Sequence, residues 1–257
     1  MENRIDKALK GAKGIQLMTH VEAGYPSLGA NEELIRLMAR RGVRLIEIQI
    51  PFTDPLADGP TIMRANQAAL DAGITPEHCF DLCARLSKEL DVAFMFMTYA
   101  NIPFAMGLER FLDKAAVSGA SGVILPDLPW DETDGDYAEM ARERGLHPIM
   151  VISPDTEGPR LDAVLQRASG LVYTTLKVGI TGAGASMDQA GVDYVRNLKA
   201  KAGLPIAAGF GISRPEHVRM LDGLADAAVI GSHIINLLDR EGMNAVEDFL
   251  LACTRQG

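Results

Sequence analysis

Apolar positions along the chain form short continuous runs that alternate with longer stretches of helical periodicity. The runs predict strands over 15–19, 44–50, 92–97, 122–125, 148–152, 171–175, 204–208 and 227–230. The stretches between them repeat apolar residues every three or four positions, as a helix with one buried face does. They predict helices over 30–41, 61–72, 76–90, 108–117, 132–144, 159–168, 190–202, 215–224 and from 234 onwards.

Strand-then-helix units therefore follow one another along the whole chain, and eight of them fit its 257 residues. Strands that are apolar without alternation indicate a parallel sheet covered by helices on both faces. We expect an α/β fold, a (β/α)8 TIM barrel, with residues 1–257 as a single domain. An open doubly wound sheet is the alternative, but no G-x-G-x-x-G motif follows the first strand.

Charge and composition exclude several classes of protein. The net charge is −9 and no basic stripe is present, so we expect no nucleic-acid binding. No apolar run reaches the roughly 18 residues that a membrane span needs, and the acidic start is not typical of a signal peptide. Three cysteines, an odd number, predict reduced thiols in a cytoplasmic protein. The histidines and cysteines show no spacing that predicts a metal site.

Two carboxyl groups stand out against this background. Glu47 interrupts the apolar second strand, and Asp58 follows eleven residues later in a loop rich in proline. A carboxylate that faces a core is costly unless it is paired or used. In a barrel the catalytic residues lie at the carboxyl ends of strands, which favours an acid–base pair here. A structural glutamate bonded to backbone is an equally good interpretation of Glu47 from the local sequence.

Glycine-bearing turns follow the last three predicted strands. They are Thr181-Gly182, Gly209-Phe210-Gly211 and Gly231-Ser232, and the last of them opens a helix. Glycine lets backbone amides approach a ligand closely, and a helix start attracts anions. Barrels often bind phosphate at the loops after strands seven and eight. Three such turns at consecutive strand ends predict a phosphate site, although each glycine alone could be an ordinary turn residue.

Taken together, these motifs resemble the tryptophan synthase alpha chain family. The longest match is the loop after the second strand, from Phe52 to Pro60. Further matches occur in the family's order, at 23–26, 99–101, 126–129, 179–182, 209–213 and 231–232. The resemblance implies a TIM barrel that cleaves indole-3-glycerol phosphate to indole and glyceraldehyde 3-phosphate. It also implies a beta-chain partner in an assembly of alpha2-beta2 type, and no cofactor.

The resemblance also implies roles for individual residues. Glu47 matches the catalytic glutamate, and Asp58 matches the aspartate that contacts the indole N–H. Substrate contacts are implied for Tyr99, for Tyr173 in the wall of the site and for Thr181 in the mobile sixth loop. The implied phosphate grip comprises Gly182, Gly211, Gly231 and Ser232, with Phe210 beside it. Pro51 and Asp54 match positions that respond to the beta chain.

The reaction explains why carboxyl groups are needed. Cleaving the carbon–carbon bond requires a proton delivered to indole C3 and another removed from the glycerol hydroxyl. One carboxyl group can do both if it titrates near neutral pH, which partial burial favours. A second carboxylate near the ring nitrogen stabilises the developing positive charge. The hypothesis is that Glu47 is the proton shuttle and Asp58 its electrostatic partner, without any metal.

Two departures from the family pattern bear on function. Gln49 replaces a glycine and shares a strand face with Glu47, where it takes up space and can bond the acid. Lys177 replaces an arginine before the sixth loop and lacks its fork geometry. These leave open a free-standing lyase, or a catalytically weak barrel that regulates a partner. His20 could also contact the pocket, but an isolated histidine there is more often structural.

Overall fold

A computed structural model describes residues 2–129, 136–175, 189–209 and 211–254 of the chain. Eight strands hydrogen-bond in sequence order, and the last closes onto the first, so they form a barrel. Every neighbouring pair is parallel. The strands are β1 (Gln16–Glu22), β2 (Leu45–Gln49), β3 (Ala93–Met97), β4 (Gly122–Ile124), β5 (His147–Ile152), β6 (Val172–Thr175), β7 (Ile206–Gly209) and β8 (Ala227–Ile230).

Helices surround this barrel, and their apolar faces pack on its outer surface. They are α1 (Arg4–Leu9), α2 (Leu28–Arg40), α3 (Pro60–Asp71), α4 (Pro76–Glu89), α5 (Asn101–Met106), α6 (Leu108–Val117), α7 (Tyr137–Glu143), α8 (Gly158–Arg167), α9 (Gln189–Ala202), α10 (Pro215–Leu221), α11 (Ser232–Glu241) and α12 (Met243–Thr254). The predicted TIM barrel is therefore confirmed. No helix among the described residues is both long and apolar enough to cross a membrane.

Two large cores contain most of the buried apolar side chains. The larger lies between sheet and helices, and the smaller fills the barrel interior with residues such as Met18, Leu45 and Met95. Along β2, Leu45, Glu47 and Gln49 alternate with Ile46 and Ile48 of the outer core, so these three face inward. Leu45 packs in the apolar interior, whereas Glu47 and Gln49 lie nearer the strand's carboxyl end.

Helix α1, which the sequence pattern did not predict, covers the amino-terminal end of the barrel. Asn3 caps this helix and also donates to the carbonyl groups of Ser121 and Gly145, just before β4 and β5. Arg4 donates to three carbonyl groups at the end of α4 and before β3. Ile5 is fully buried and packs with the interior core. This end of the barrel is therefore filled and capped.

The first strand is longer than predicted. The apolar run ends at Thr19, but β1 continues through His20 to Glu22, in register with Glu47 and Gln49 of β2. These polar residues belong to the strand because their backbone groups continue the hydrogen-bonded ladder with β2. That pairing forms even though burying the polar side chains costs free energy. The extension brings two further ionisable groups to the carboxyl end of the barrel.

Candidate active site

The carboxyl groups of Glu47 and Asp58 are both buried at the carboxyl end of the barrel. Glu47 projects inward from β2, and Asp58 reaches in from the loop that joins β2 to α3; both are 4% exposed. Burial raises the pKa of Asp58, and the neighbouring charge of Glu47 adds to that effect. Hydrogen bonds from Gln49 and Tyr99 and the charge of His20 act against it. The charge of Glu47 is thus close enough to influence the ionisation of Asp58.

Asp58 is held by two donors on one oxygen. The Gln49 amide donates from Nε2 to Asp58 Oδ2 at 2.8 Å, and the Tyr99 hydroxyl donates to the same oxygen at 3.0 Å. Tyr99 also accepts from the backbone N–H of Ala57 at 3.0 Å and stacks on Phe52. Tyr99 therefore holds the loop at Ala57 and at Asp58. Tyr99 is buried and supports Asp58; its contact with substrate stays a prediction.

Tyr173 forms part of the opposite wall. It lies on β6, and a Cβ atom on Gly209 of β7 would come within 2.9 Å of its hydroxyl oxygen. Glycine is therefore the residue that leaves room for the tyrosine ring at this strand end. Burial raises the pKa of Tyr173, and the charges of Glu47 and Asp58 raise it further. Tyr173 is thus a neutral hydroxyl facing the two acids.

The predicted phosphate grip lies at the ends of β7 and β8. Gly211 has a φ of 50°, in the region where glycine is favoured. Gly231 caps helix α11, which begins at Ser232. A Cβ atom on Gly231 would lie 3.5 Å from the Cβ of His20, which is itself near Glu47. One histidine therefore lies beside both the start of α11 and the acid site. Thr181, Gly182, Phe210 and Lys177 lie outside the described residues.

The tryptophan synthase alpha chain family model matches residues 7–254. The chain belongs to this family.

Individual relatives agree with this assignment. The tryptophan synthase alpha chain of Syntrophotalea carbinolica is 41% identical over 238 residues, which cover 93% of this chain and 94% of that one. The alpha chain of Desulfotalea psychrophila is 41% identical over 247 residues, 96% of this chain and 97% of the relative. A Mycobacterium tuberculosis tryptophan synthase structure superposes with a TM-score of 0.92 at 27% identity, covering 100% of both chains. As a member of this family, the chain is a carbon–carbon lyase of tryptophan biosynthesis.

The acid site contains a residue that the sequence pattern did not predict. Glu22 is the last residue of β1 and is 1% exposed. His20 lies between it and Glu47, with Nε2 at 3.9 Å from Glu22 Oε2 and Nδ1 at 3.8 Å from Glu47 Oε1. These distances exceed a hydrogen bond and describe ion pairing. A period-two pattern continued past Thr19 would have placed His20 and Glu22 on the inner face.

The two groups of this pair titrate far from their ordinary ranges. Burial disfavours the charged form of His20, but the flanking Glu22 and Glu47 outweigh burial and raise its pKa to about 10. Burial raises the pKa of Glu22 to about 7, against the opposing effect of His20. At neutral pH the site therefore holds a charged histidine, and Glu22 is close to the pH at which it gains a proton.

We expect Glu22→Gln to gain stability relative to wild type as the pH rises. Because the pKa of Glu22 is about 7 in the folded protein and 4.5 in the unfolded chain, the folded state holds the proton that the unfolded chain releases between these values. Glu22 therefore destabilises the folded wild type progressively over this window, and the glutamine variant lacks that contribution. The difference in free energy of unfolding should grow by about 3 kcal/mol from pH 4.5 to 7, measured by urea denaturation.

Glu32→Gln is the matched control. Glu32 is paired with Arg85 and Arg36, and the bond from Arg85 lowers its pKa. Its stabilising effect is therefore present above its unfolded pKa and is lost as the pH falls, so it changes little above pH 4.5. A constant difference for Glu22→Gln across the window would show that Glu22 is ionised throughout.

Proposed function

We propose that the chain cleaves indole-3-glycerol phosphate with Glu47 as the proton shuttle and Asp58 as the electrostatic partner. The observation that carries this proposal is the convergence of the two buried carboxyl groups inside the end of the barrel at which α11 begins. Family membership supplies the reaction. In this proposal the indole ring lies between the acids and Tyr173, and the phosphate lies at the start of α11.

The chemistry assigns each acid a separate step. Glu47 gives a proton to indole C3, which makes the ring electron-poor, and the resulting carboxylate takes the proton of the glycerol hydroxyl as the aldehyde forms. The carbon–carbon bond breaks, and its electron pair returns to the indole ring. Asp58 accepts from the ring N–H and stabilises the positive charge that builds up there. The proton count is balanced, so the enzyme ends the cycle as it began.

The remaining assignments concern substrate binding. The backbone amides of Gly211, Gly231 and Ser232 would hold the phosphate, since a helix start favours an anion. Ser232 adds a hydroxyl group. The resemblance assigns Thr181, Gly182 and Phe210 to the same task, and those assignments remain proposals. Tyr99 contributes through Asp58, whose Oδ2 it holds.

Indole release from indole-3-glycerol phosphate tests this proposal directly. The assay is run on the purified chain, with and without a tryptophan synthase beta chain. Strong release by the chain alone indicates a free-standing lyase, and release that depends on the beta chain indicates a synthase subunit. The absence of release in both conditions contradicts the proposed cleavage and favours a barrel that regulates its partner.

A beta chain is the proposed protein partner, and exposed apolar side chains near the site support it. Leu56 is 84% exposed in the loop after β2, and Phe104 is 48% exposed on α5. Tyr99 links this loop to α5, because its hydroxyl accepts a hydrogen bond from the Ala57 N–H and its backbone carbonyl accepts one from the Ile102 N–H of α5. Large exposed apolar side chains of this kind are common at protein interfaces. Pro51 and Asp54 belong to the same loop.

We expect Leu56→Ser with Phe104→Ser to weaken beta-chain binding by at least about tenfold, because each removes an apolar contact worth over 1 kcal/mol. Indole release by the variant alone should stay within about twofold of wild type, since neither side chain enters the acid site. Affinity is measured by calorimetric titration. Val117→Ser is the control, since Val117 is 88% exposed at the end of α6. Equal affinity for both variants and wild type would contradict this surface.

Two further properties belong to the proposal. We propose a cytoplasmic location, which is supported by the free thiols of Cys79, Cys83 and Cys253. We also propose that residues 1–257 form a single domain, since the closed barrel draws strands from across the chain. Limited proteolysis that released a folded fragment would contradict the second point.

A further inference from the structure

Four buried side-chain atoms beside the acid site have no hydrogen-bond partner among the residues that the structure describes. They are Nε2 of His20, both carboxyl oxygens of Glu22 and Oε1 of Gln49. Each unpaired buried group costs about 1–3 kcal/mol, so four of them in one place require a physical explanation. All three residues project into the barrel from the adjacent strands β1 and β2.

These residues form a nearly continuous path between the two acids. From Glu47 the path runs to His20 Nδ1 at 3.8 Å, and from His20 Nε2 to Glu22 at 3.9 Å. At the other end, Gln49 donates to Asp58 at 2.8 Å. Glu22 and Gln49 are direct partners in the β1–β2 register and face the same side. A hydrogen bond between Glu22 and Gln49 would complete the path between the two acids.

The unpaired atoms complement one another if Glu22 carries a proton. The N–H at His20 Nε2 can donate to one oxygen of Glu22, and the protonated second oxygen can donate to Gln49 Oε1. These two bonds satisfy all four atoms. An ionised Glu22 cannot bond Gln49 Oε1, because a carboxylate and an amide oxygen are both acceptors.

We propose that His20, Glu22 and Gln49 are positioning residues that join Glu47 to Asp58 through one chain of hydrogen bonds, with its shared proton on Glu22. The inference rests on the proposed roles of Glu47 and Asp58. The chain orients the Gln49 amide so that its N–H group, and not its oxygen, faces Asp58. At the other end, His20 fixes the direction of the Glu47 carboxyl group.

The surroundings of Glu22 favour its neutral form. Burial raises the pKa of Glu22 to about 7. The ionisable groups that act on it are His20 on its own strand, Glu47 on β2 and Asp58 in the following loop. From α4, Cys79 faces the same region, and burial raises its thiol pKa so that it stays uncharged. The two acids oppose a negative Glu22, whereas His20 alone favours one.

Glu22→Gln and Glu22→Leu separate this bridge from a purely structural role. A glutamine reproduces the neutral acid, because its oxygen can accept from His20 and its amide can donate to Gln49. At pH 7 we expect Glu22→Gln to keep kcat within about threefold of wild type and Glu22→Leu to lose at least about tenfold, each with KM within about threefold. Above pH 7 the wild-type kcat should fall as Glu22 ionises, and the glutamine variant should lack this decline.

Two variants control the comparison. Gln49→Met has similar volume and breaks the same bridge, so its kcat should fall as in Glu22→Leu; it also serves if the leucine variant does not fold. His147→Gln disrupts an imidazole–carboxylate pair with Asp6 at the other end of the barrel and should leave the pH profile unchanged. The proposal is overturned if Glu22→Leu matches wild type, or if Glu22→Gln is impaired as strongly as Glu22→Leu.

Infrared spectroscopy tests the bridge without relying on catalysis. At pH 6 the spectrum of the folded wild-type protein should contain the carbonyl stretch of the protonated Glu22 carboxylic acid, seen as a band in the difference spectrum between wild type and Glu22→Gln. If the band is present but wild type releases no indole, the proposed cleavage fails and the bridge stands. If both proteins give the same spectrum in this region, Glu22 carries no proton and the bridge is overturned.

Discussion

Glu47→Gln should lower kcat for indole release by at least about a hundredfold, equivalent to about 3 kcal/mol of barrier. Glutamine keeps the size of the side chain and its place on β2, but it cannot give up or accept the proton that the reaction moves. KM should stay within about threefold, because the phosphate and the ring are held by other groups. Steady-state kinetics on the purified variant, with and without a beta chain, supplies both parameters.

Two controls show whether a loss of activity in Glu47→Gln comes from a damaged or unfolded site. The variant should bind an analogue that lacks the cleavable bond as tightly as wild type does, which shows that the site is intact. Its thermal unfolding should also be compared with wild type, since Glu47 lies 3.8 Å from His20 and its loss removes one of the two carboxyl groups around that histidine. Near-normal turnover by a folded Glu47→Gln variant would rule out this residue as the shuttle.

Asp58→Asn should also lower kcat by at least about a hundredfold, but for an electrostatic reason. The asparagine oxygen can still accept the bonds that Gln49 and Tyr99 give to Oδ2, so the loop should keep its position. What is lost is the negative charge facing the electron-poor ring. The same indole assay measures the effect.

Tyr99→Phe is the matched control for Asp58→Asn. It removes one hydrogen bond to the same oxygen and leaves the charge in place, so a loss of about fivefold, near 1 kcal/mol, is expected. A larger loss in Tyr99→Phe than in Asp58→Asn would show that loop position matters more than charge. That outcome would contradict the role proposed for Asp58.

The periodicity of the sequence predicted the barrel because each strand and helix carried a strong local signal. Elements that depend on tertiary contacts were missed. Helix α1 is only six residues long, and it is stabilised by bonds from Asn3 and Arg4 to distant carbonyl groups. Helix α5 is equally short. Helices of this length form through packing, which a local pattern does not record.

The acid site was predictable only in part, again for physical reasons. Glu47 and Asp58 were identified because they interrupt apolar or proline-rich sequence. Glu22 was overlooked because two polar residues at the end of an apolar run look like the end of a strand. The β1–β2 ladder continues regardless, since backbone pairing is indifferent to the side chain. Gln49 stands out in the sequence as a departure, but its bond to Asp58 depends on how the following loop folds back over β2.

Helix α1 closes one end of the barrel, and this determines how substrate and product reach and leave the site. Ile5 is buried in that end. The opposite rim of the barrel is therefore the route by which small molecules enter and leave. Leu56 and Phe104 stand in elements at that rim. A protein bound to these two side chains would lie beside the exit from the site. It could take up each departing molecule before that molecule reaches bulk solvent.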